Sequence, residues 1–233
     1  GIGISKTDGN NITNNIITVS GTDGTGISSN PASGGNNTNL LVSSNSFTCS
    51  GSDSSCATSN GGGTFSSNTF TASGSAAIGL NIYNSGDQIY QNTFTVSGPD
   101  QACGIWMGDD TATSNDIYEN TISLSDSEAI GIWLDEDDNG YPSGNTFYNN
   151  NITGLGEAIV DASSSSETNY LVYNNTLGEI RWTDSSFLQN LTLTGDIGLG
   201  INVTIENNLI SLNTSVFTKG LFNTSANITI KNL

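Results

Sequence analysis

No histidine occurs in this chain of 233 residues, and only four lysines and arginines stand against 22 aspartates and glutamates, for a formal charge of −18. That shortage of cations excludes binding to nucleic acid through its phosphates, which takes Lys and Arg. It disfavours an anionic membrane surface for the same reason. Three cysteines are too few for a disulfide framework, and without His or a CxxC spacing no zinc or copper site is legible. Cys49 and Cys56 flank the loop CSGSDSSC and would close it if oxidised, whereas Cys103 reads as a small buried apolar residue. No long apolar stripe of helical period appears, and no segment reads as a signal peptide or a membrane span. Charged residues make up only 11% of the chain, so solubility falls to Ser, Thr, Asn and Gly, the texture of a secreted or cell-surface protein. The opening GIGIS, without an initiator Met, reads as a mature or processed form.

What the chain does have is a repeat. Eight asparagines, Asn15, Asn45, Asn68, Asn92, Asn120, Asn150, Asn175 and Asn208, stand 23 to 33 residues apart, about 28 on average. Three residues before each lies an apolar residue (Ile12, Val42, Phe65, Ile89, Ile117, Phe147, Val172, Ile205), and two after each lies another (Ile17, Phe47, Phe70, Phe94, Ile122, Ile152, Leu177, Ile210). Within each unit apolar and polar residues alternate, the two-residue period of a strand. A period of 20 to 50 residues means a solenoid, propeller or array, and about 28 residues of short strands and turns make one solenoid coil. The recurrent Asn sits where the chain must turn a corner, and Asn tolerates left-handed backbone. Stacked coils about 4.8 Å apart would let the eight amides hydrogen-bond in one inward ladder.

Segments such as GIWMGDDTATSNDIYENTISLS (104–125) and GIWLDEDDNGYPSGNTFYNNNITGL (131–155) resemble the right-handed parallel β-helix superfamily. That group includes pectate-lyase-like enzymes and carbohydrate-binding-and-sugar-hydrolase repeats. The resemblance implies an all-β, right-handed parallel β-helix of about eight coils. It reaches to about residue 212. From Phe187 the sequence becomes more apolar and more regularly alternating, which divides the chain into a helix over 1–186 and a β-rich tail over 187–233, holding the last coils and a C-terminal strand for capping or subunit exchange. The run SLNTSVFTKGLFNTSANITIKNL is similar to segments of archaeal surface-layer-type proteins.

The fold alone does not decide function. Polysaccharide lyases of this superfamily use a basic residue as proton abstractor, and this chain offers Lys6, Arg181, Lys219 and Lys231 only. Hydrolases use grouped carboxylates. Candidates are Asp109, Asp110, Asp135, Asp137 and Asp138, and aligning GIWMGDD with GIWLDEDD sets Asp110 beside Asp137 and Asp109 beside Glu136. The same residues suit calcium. DEDDNG (135–140) fits the first half of a calcium loop, with ligands from Asp135, Asp137 and Asn139 and from Asp110 on the adjoining coil, although Thr146 stands where the bidentate Glu belongs. No cofactor beyond such a Ca2+ is implied.

Two outward stripes remain. Tyr90, Tyr118, Tyr148 and Tyr173 share one register and Trp106 and Trp133 another, rows that suit sugar rings or a neighbouring subunit. Thr18-x-Ser20, Thr48-x-Ser50, Thr71-x-Ser73, Thr95-x-Ser97 and Ser123-x-Ser125 form a hydroxyl array resembling the ice-binding face of solenoid antifreeze proteins. Asn-x-Ser/Thr sequons begin at Asn11, Asn36, Asn151, Asn174, Asn190, Asn202, Asn213, Asn223 and Asn227 and would carry N-linked glycans on an extracellular chain. The expectation is a non-enzymatic extracellular structural protein, a subunit of a surface filament, surface layer or adhesin. Its partners would be copies of itself, met through the solenoid ends and the C-terminal strand, and surface carbohydrate. The alternatives are a carbohydrate-binding or polysaccharide-degrading β-helix and, at a distance, an ice-binding solenoid.

Overall fold

The computed structural model describes residues 1–4, 9–29, 39–108, 111–135, 141–162, 169–182, 191–194, 197–198, 203–206, 209–213 and 226–231. They form a parallel β-solenoid with three sheets. The first sheet stacks Ile2–Ile4, Thr25–Ser29, Ser55–Ser59, Ile78–Ile82, Cys103–Met107, Ile130–Leu134 and Glu157–Asp161. The second stacks Asn11–Thr13, Leu40–Ser43, Gly63–Ser66, Gln88–Tyr90, Asp116–Tyr118, Thr146–Tyr148 and Tyr170–Asn175. The third stacks Ile16–Val19, Ser46–Cys49, Thr69–Ala72, Thr93–Val96, Thr121–Leu124 and Asn151–Gly154. The chain visits the three in turn and climbs about five turns between Ile2–Ile4 and Ile130–Leu134.

Alternation along each strand turns one residue type in, and parallel register puts like on like. Ile17, Phe47, Phe70, Phe94, Ile122 and Ile152 make one inward column on the third sheet. Its Phe47, Phe70 and Phe94 rings stack face to face with centroids 4.7 Å apart, the spacing of neighbouring strands. Ile27, Ala57, Leu80, Ile105, Ile132 and Ile159 make the matching column on the first sheet. Each such buried aliphatic or aromatic side chain contributes roughly 1.5–3 kcal/mol of transfer free energy.

The asparagine ladder is present over six rungs. Asn15, Asn45, Asn68, Asn92 and Asn120 each donate Nδ2–H to the Oδ1 of the next rung, ending at Asn150, at 2.9–3.1 Å. The same Oδ1 atoms accept the backbone amide of the preceding rung. From Asn45 onward the second amide proton goes to a carbonyl of the coil before, as from Asn92 to Phe65 at 2.8 Å. The rungs themselves are not the left-handed residues. Positive φ falls one residue earlier, at Asn14, Ser44, Ser67, Gln91, Glu119 and Asn149, with φ between 53° and 58°. Each of these donates its amide to the adjoining coil, as Ser67 does to the Tyr90 carbonyl. The turn is therefore made by a residue of mixed identity, and Asn is required next to it for its amide.

A second ladder was not expected. Asp87 N–H donates to Asn115 Oδ1 (2.8 Å), while Asn115 and Asn145 donate both N–H and Nδ2–H to Asn145 and Asn169 at 2.9–3.1 Å. It lines the corner between the first and second sheets.

The last unit departs from the expected register. Phe147 pairs with Leu171, not with Val172, so Tyr148 meets Val172. A one-residue slip exchanges the two faces of a strand. Tyr173 accordingly turns inward, 6% exposed, and the outward tyrosine column ends at Tyr148. Asn175 leaves the ladder for the same reason. Its Oδ1 accepts from Leu177 N and Gly178 N within a hairpin. Asn208, the expected eighth rung, lies outside the described residues, so the ladder corresponds to about five turns where eight coils were expected.

Beyond that point pairing becomes antiparallel. Gly178–Trp182 folds back on Tyr170–Asn175, and Ala226–Ile230 pairs along Gly178–Trp182. Leu191–Thr194 and Ile197–Gly198 close the first and third sheets, and Val203–Glu206 pairs with Leu209–Leu212. The C-terminal strand, open to either capping or donation from its sequence, pairs here with Gly178–Trp182 of its own chain and forms the outer edge of the second sheet.

Candidate functional site

The outward face of the first sheet carries two rows. One runs Ser28, Thr58, Asn81, Trp106, Trp133, Val160, in register from coil to coil. The other runs Thr25, Ser55, Ile78, Cys103, Ile130, Glu157. The turns entering these strands hold left-handed residues at Asp23, Asp53, Ala76, Asp100 and Gln101, with φ of 51° to 63°. Asp tolerates that conformation better than most residues, so carboxylates collect along one border of the sheet.

Rows and border enclose a groove made of adjoining hollows. The aromatic hollow, about 260 Å³, is lined by Asp53, Ile78, Asp100, Trp106, Trp133 and Asp135 among others. A polar hollow of about 490 Å³ shares Asp53 with it and adds Asp23, Ser28, Thr58, Asn60, Asn81 and Tyr83. A third, about 470 Å³, shares Asp100 and Gln101 and adds Ser127, Glu128 and Glu157. The groove thus runs across successive coils, along the solenoid axis.

Two features set its chemistry. Trp106 is fixed from three sides. Its ring lies over Gly108, where any Cβ would collide with it. Tyr83 meets it edge-on at 5.8 Å, and its Nε1–H donates to Asp135 Oδ2 at 3.4 Å. Asn81 is 4% exposed, and its Oδ1 is buried without a hydrogen-bond partner. A buried acceptor left unpaired costs about 1–3 kcal/mol; Asn81 borders the polar hollow, but this oxygen is closed off from it. Among the described residues the cations are Arg181 and Lys231, and neither lines the groove. Arg181 bonds Glu179 at 3.3 Å and lies 5.8 Å from the centre of the Tyr170 ring.

Of the expected calcium ligands, Asp135 is placed at the groove, engaged by Trp106. Asp110, Asp137 and Asn139, with Asp109, Glu136 and Asp138, lie outside the described residues. Among the described residues no cluster of three or more His, Cys, Asp or Glu side chains is close enough to hold a metal ion. Cys49 and Cys56 are joined as a disulfide, with Cα atoms 5.5 Å apart. Cys103 is buried and free, and burial, then the charge of Asp135, pushes its thiol up from the ordinary range, which leaves it inert.

The other two faces differ. Tyr90, Tyr118 and Tyr148 stack on one another with centroids 4.8 and 4.5 Å apart. Their ring faces are consumed by each other, so this column offers edges and hydroxyls, not platforms for a sugar. On the third sheet Thr18, Thr48, Thr71, Thr95, Ser123 and Thr153 align in one outward column. Beside it run Ile16, Ser46, Thr69, Thr93, Thr121 and Asn151, a chemically mixed row.

Sequon residues Asn11, Asn213 and Asn227 are exposed. Asn151 is half-buried with its Oδ1 enclosed, and Asn174 is hydrogen-bonded to Asn149, whose Nδ2–H donates to it at 2.7 Å. Asn36, Asn190, Asn202 and Asn223 lie outside the described residues. No helix among the described residues is long and apolar enough to cross a membrane.

Sequence reasoning paired Trp106 with Trp133 but missed Asn81 and the turn residues Asp53 and Asp100. The turn residues had a partial signal: an Asp stands two or three residues ahead of the strands that open at Thr25, Ser55 and Cys103. In comparisons with known proteins the chain matches no family model, no curated protein and no solved structure.

Proposed function

We propose that the protein is a non-enzymatic, extracellular β-solenoid of the adhesin kind, which holds an extended carbohydrate chain in the groove over the first sheet. The observation that carries this is the pairing of a fixed indole platform, Trp106 with Trp133 in register, with the adjoining polar hollow bordered by Ser28, Thr58, Asn60 and Asn81. Flat apolar rings with a few convergent polar groups are what a sugar site needs. Coils repeating about every 4.8 Å suit a polymer lying along the axis. In this reading the helix is right-handed, as parallel crossovers are, and belongs with the carbohydrate-binding β-helices. The exposed sequons at Asn11, Asn213 and Asn227 carry N-linked glycans. In this reading a calcium ion is held by Asp135 with Asp110, Asp137 and Asn139, and chelation lowers the melting temperature. Titration calorimetry against a panel of neutral, acidic and amino oligosaccharides tests the main claim. Binding by one class, reduced about tenfold or more in Trp106→Ala and Trp133→Ala, supports it. Absence of binding across the panel overturns it.

A second reading, a self-assembling structural subunit, is favoured by the first coil. The outer edges of Ile2–Ile4, Asn11–Thr13 and Ile16–Val19 pair with no described strand. Ile2 is 42% and Ile16 88% exposed, and no described residue donates to Asn15 Oδ1 as the later rungs are donated to. Unpaired strand edges invite a partner, and here a second copy would supply it. Sedimentation of the purified chain over a wide concentration range decides: a fixed monomer at high concentration rules this reading out.

A further inference from the structure

Resting on the reading that the exposed sequons carry glycans, we propose that the sugars on Asn11 and Asn227 guard the two open edges of the second sheet and keep one copy of the chain from stacking on the next. The sequence Asn-Ile-Thr stands at both places, 11–13 and 227–229. Asn11–Thr13 is the first strand of that sheet and Ala226–Ile230 the last, and neither outer edge has a partner among the described residues. Alternation turns Ile12 and Ala226 toward the core, so Asn11, Thr13, Asn227 and Thr229 stand on the outward face, and all four are exposed. Sequons on interior strands are not free in this way. Asn174 lies on Tyr170–Asn175, which is paired on both sides, and its Oδ1 accepts from Asn149 at 2.7 Å. Asn151 lies on Asn151–Gly154, likewise paired on both sides, and its Oδ1 is buried.

The edges themselves are unprotected. An unpaired edge offers its backbone N–H and C=O groups to any further strand, and charges or proline are the common defence. Neither edge strand holds a charge or a proline. Apolar side chains are also uncovered at both ends, Ile2 at 42% and Ile228 at 54% exposure. Two antiparallel pairings separate Ala226–Ile230 from Tyr170–Asn175, so it runs in the same direction as the solenoid strands. The last edge of one copy can therefore meet the first edge of another in the parallel sense that builds each coil. Glycan transfer joins the Asn Nδ2 to the anomeric carbon of an oligosaccharide carried on a lipid pyrophosphate. The lipid pyrophosphate leaves, and the amide gives up one proton. A further strand would lie about 4.8 Å away, where the bulk of the sugar takes the place of its side chains.

The experiment compares the whole chain, secreted from a host that transfers N-glycans, with Asn11→Gln, Asn227→Gln and the double variant, by sedimentation over a wide concentration range. Mass spectrometry of the parent should find glycan on both asparagines, and the parent should stay monomeric. Each single variant bares one edge and should stop at dimers. The double variant bares two and should form longer assemblies, because a head-to-tail contact does not close on itself. Thr13→Ala combined with Thr229→Ala keeps both asparagines, removes both sequons and should assemble as the double variant does. Glycan on both residues with a monomeric double variant overturns the inference and leaves the glycan reading standing, as does a glycosylated parent that assembles equally well. No glycan on either residue overturns both. Assembly of the Asn variants but not of the Thr variant also overturns the inference, by showing an effect of the side chain and not of the sugar.

Discussion

Asp87 accepts the backbone amide of Gly63 on its Oδ1 at 2.7 Å, the same contact that Asn115, Asn145 and Asn169 make one, two and three coils further along the second ladder. Only one of its two oxygens is used. Oδ2 is buried without a hydrogen-bond partner, in the position from which an amide would donate. Burial pushes the carboxyl up from 3.8 to about 7, although Ser59, close by, and the Gly63 amide both favour the charged form. A protonated carboxyl there is the nearest acidic copy of the carboxamide.

A pH dependence follows from Asp87. Between pH 4 and 7 the folded chain holds a proton that the unfolded chain releases. The stability it contributes is therefore complete below about pH 4 and lost as pH rises through 7. The full difference is roughly 4 kcal/mol. Asp87→Asn should remove most of this slope, raising the melting temperature at pH 8 and changing it little at pH 4. Thermal unfolding of both proteins across that range checks the sign, and equal slopes would show that Asp87 is ionised in the folded chain.

Asn92→Ala should destabilise the fold by roughly 1–3 kcal/mol, because buried groups on both neighbouring coils lose their partners. Asn68 loses its acceptor, and Asn120 Oδ1 and the Phe65 carbonyl lose a donor. Asn15→Ala at the exposed first rung should cost a fraction of that. Denaturant unfolding of the pair measures whether depth in the ladder sets the cost.

Gly108→Ala should displace the Trp106 indole without unfolding the chain, since the added methyl meets the ring and not the backbone. Sugar binding should fall about as far as in Trp106→Ala, with the melting temperature changed by only a few degrees. A variant that binds as before would show that the indole position is immaterial to the site.

Removing residues 226–233 should bare the edge of Gly178–Trp182, to which Ala226–Ile230 now pairs. A strand edge left open promotes association, so the truncated chain should melt earlier and form soluble aggregates by light scattering. If instead the full-length chain polymerises and the truncated chain is a stable monomer, the strand is donated between copies.

The repeat was legible because one side chain does one job on every coil. An amide that must accept from below and donate above cannot be exchanged, so Asn45 to Asn150 stand out of the sequence. The second ladder was hidden by its substitutions. Its members Asp87, Asn115 and Asn145 lie five residues before Asn92, Asn120 and Asn150, and Gly63 takes the same place before Asn68. The register slip was invisible for another reason. Leu171 and Val172 are both apolar, and measuring back from Asn175 makes Tyr173 look like the heir of Tyr148. Counting from Asn169 instead, as the second ladder does, puts Asn174 at the expected offset and Leu171 in the core. The groove was only half legible. Outward indoles follow from alternation, but which turn carboxylates border them depends on where the left-handed residue of each corner falls.

Asn15 stands at the exposed end of a chain of amides that all point the same way. Each rung bonds only to the coils beside it, so stability here is a sum of nearest-neighbour terms, with antiparallel strands closing one end and nothing described closing the other. Amide hydrogens should therefore exchange in a graded front, fastest on Asn11–Thr13 and Ile16–Val19 and slowest near Gln88–Tyr90. Pulled from its ends, the molecule should pay out from the first coil in steps of about one repeat, like rope from a spool, before the closed end yields.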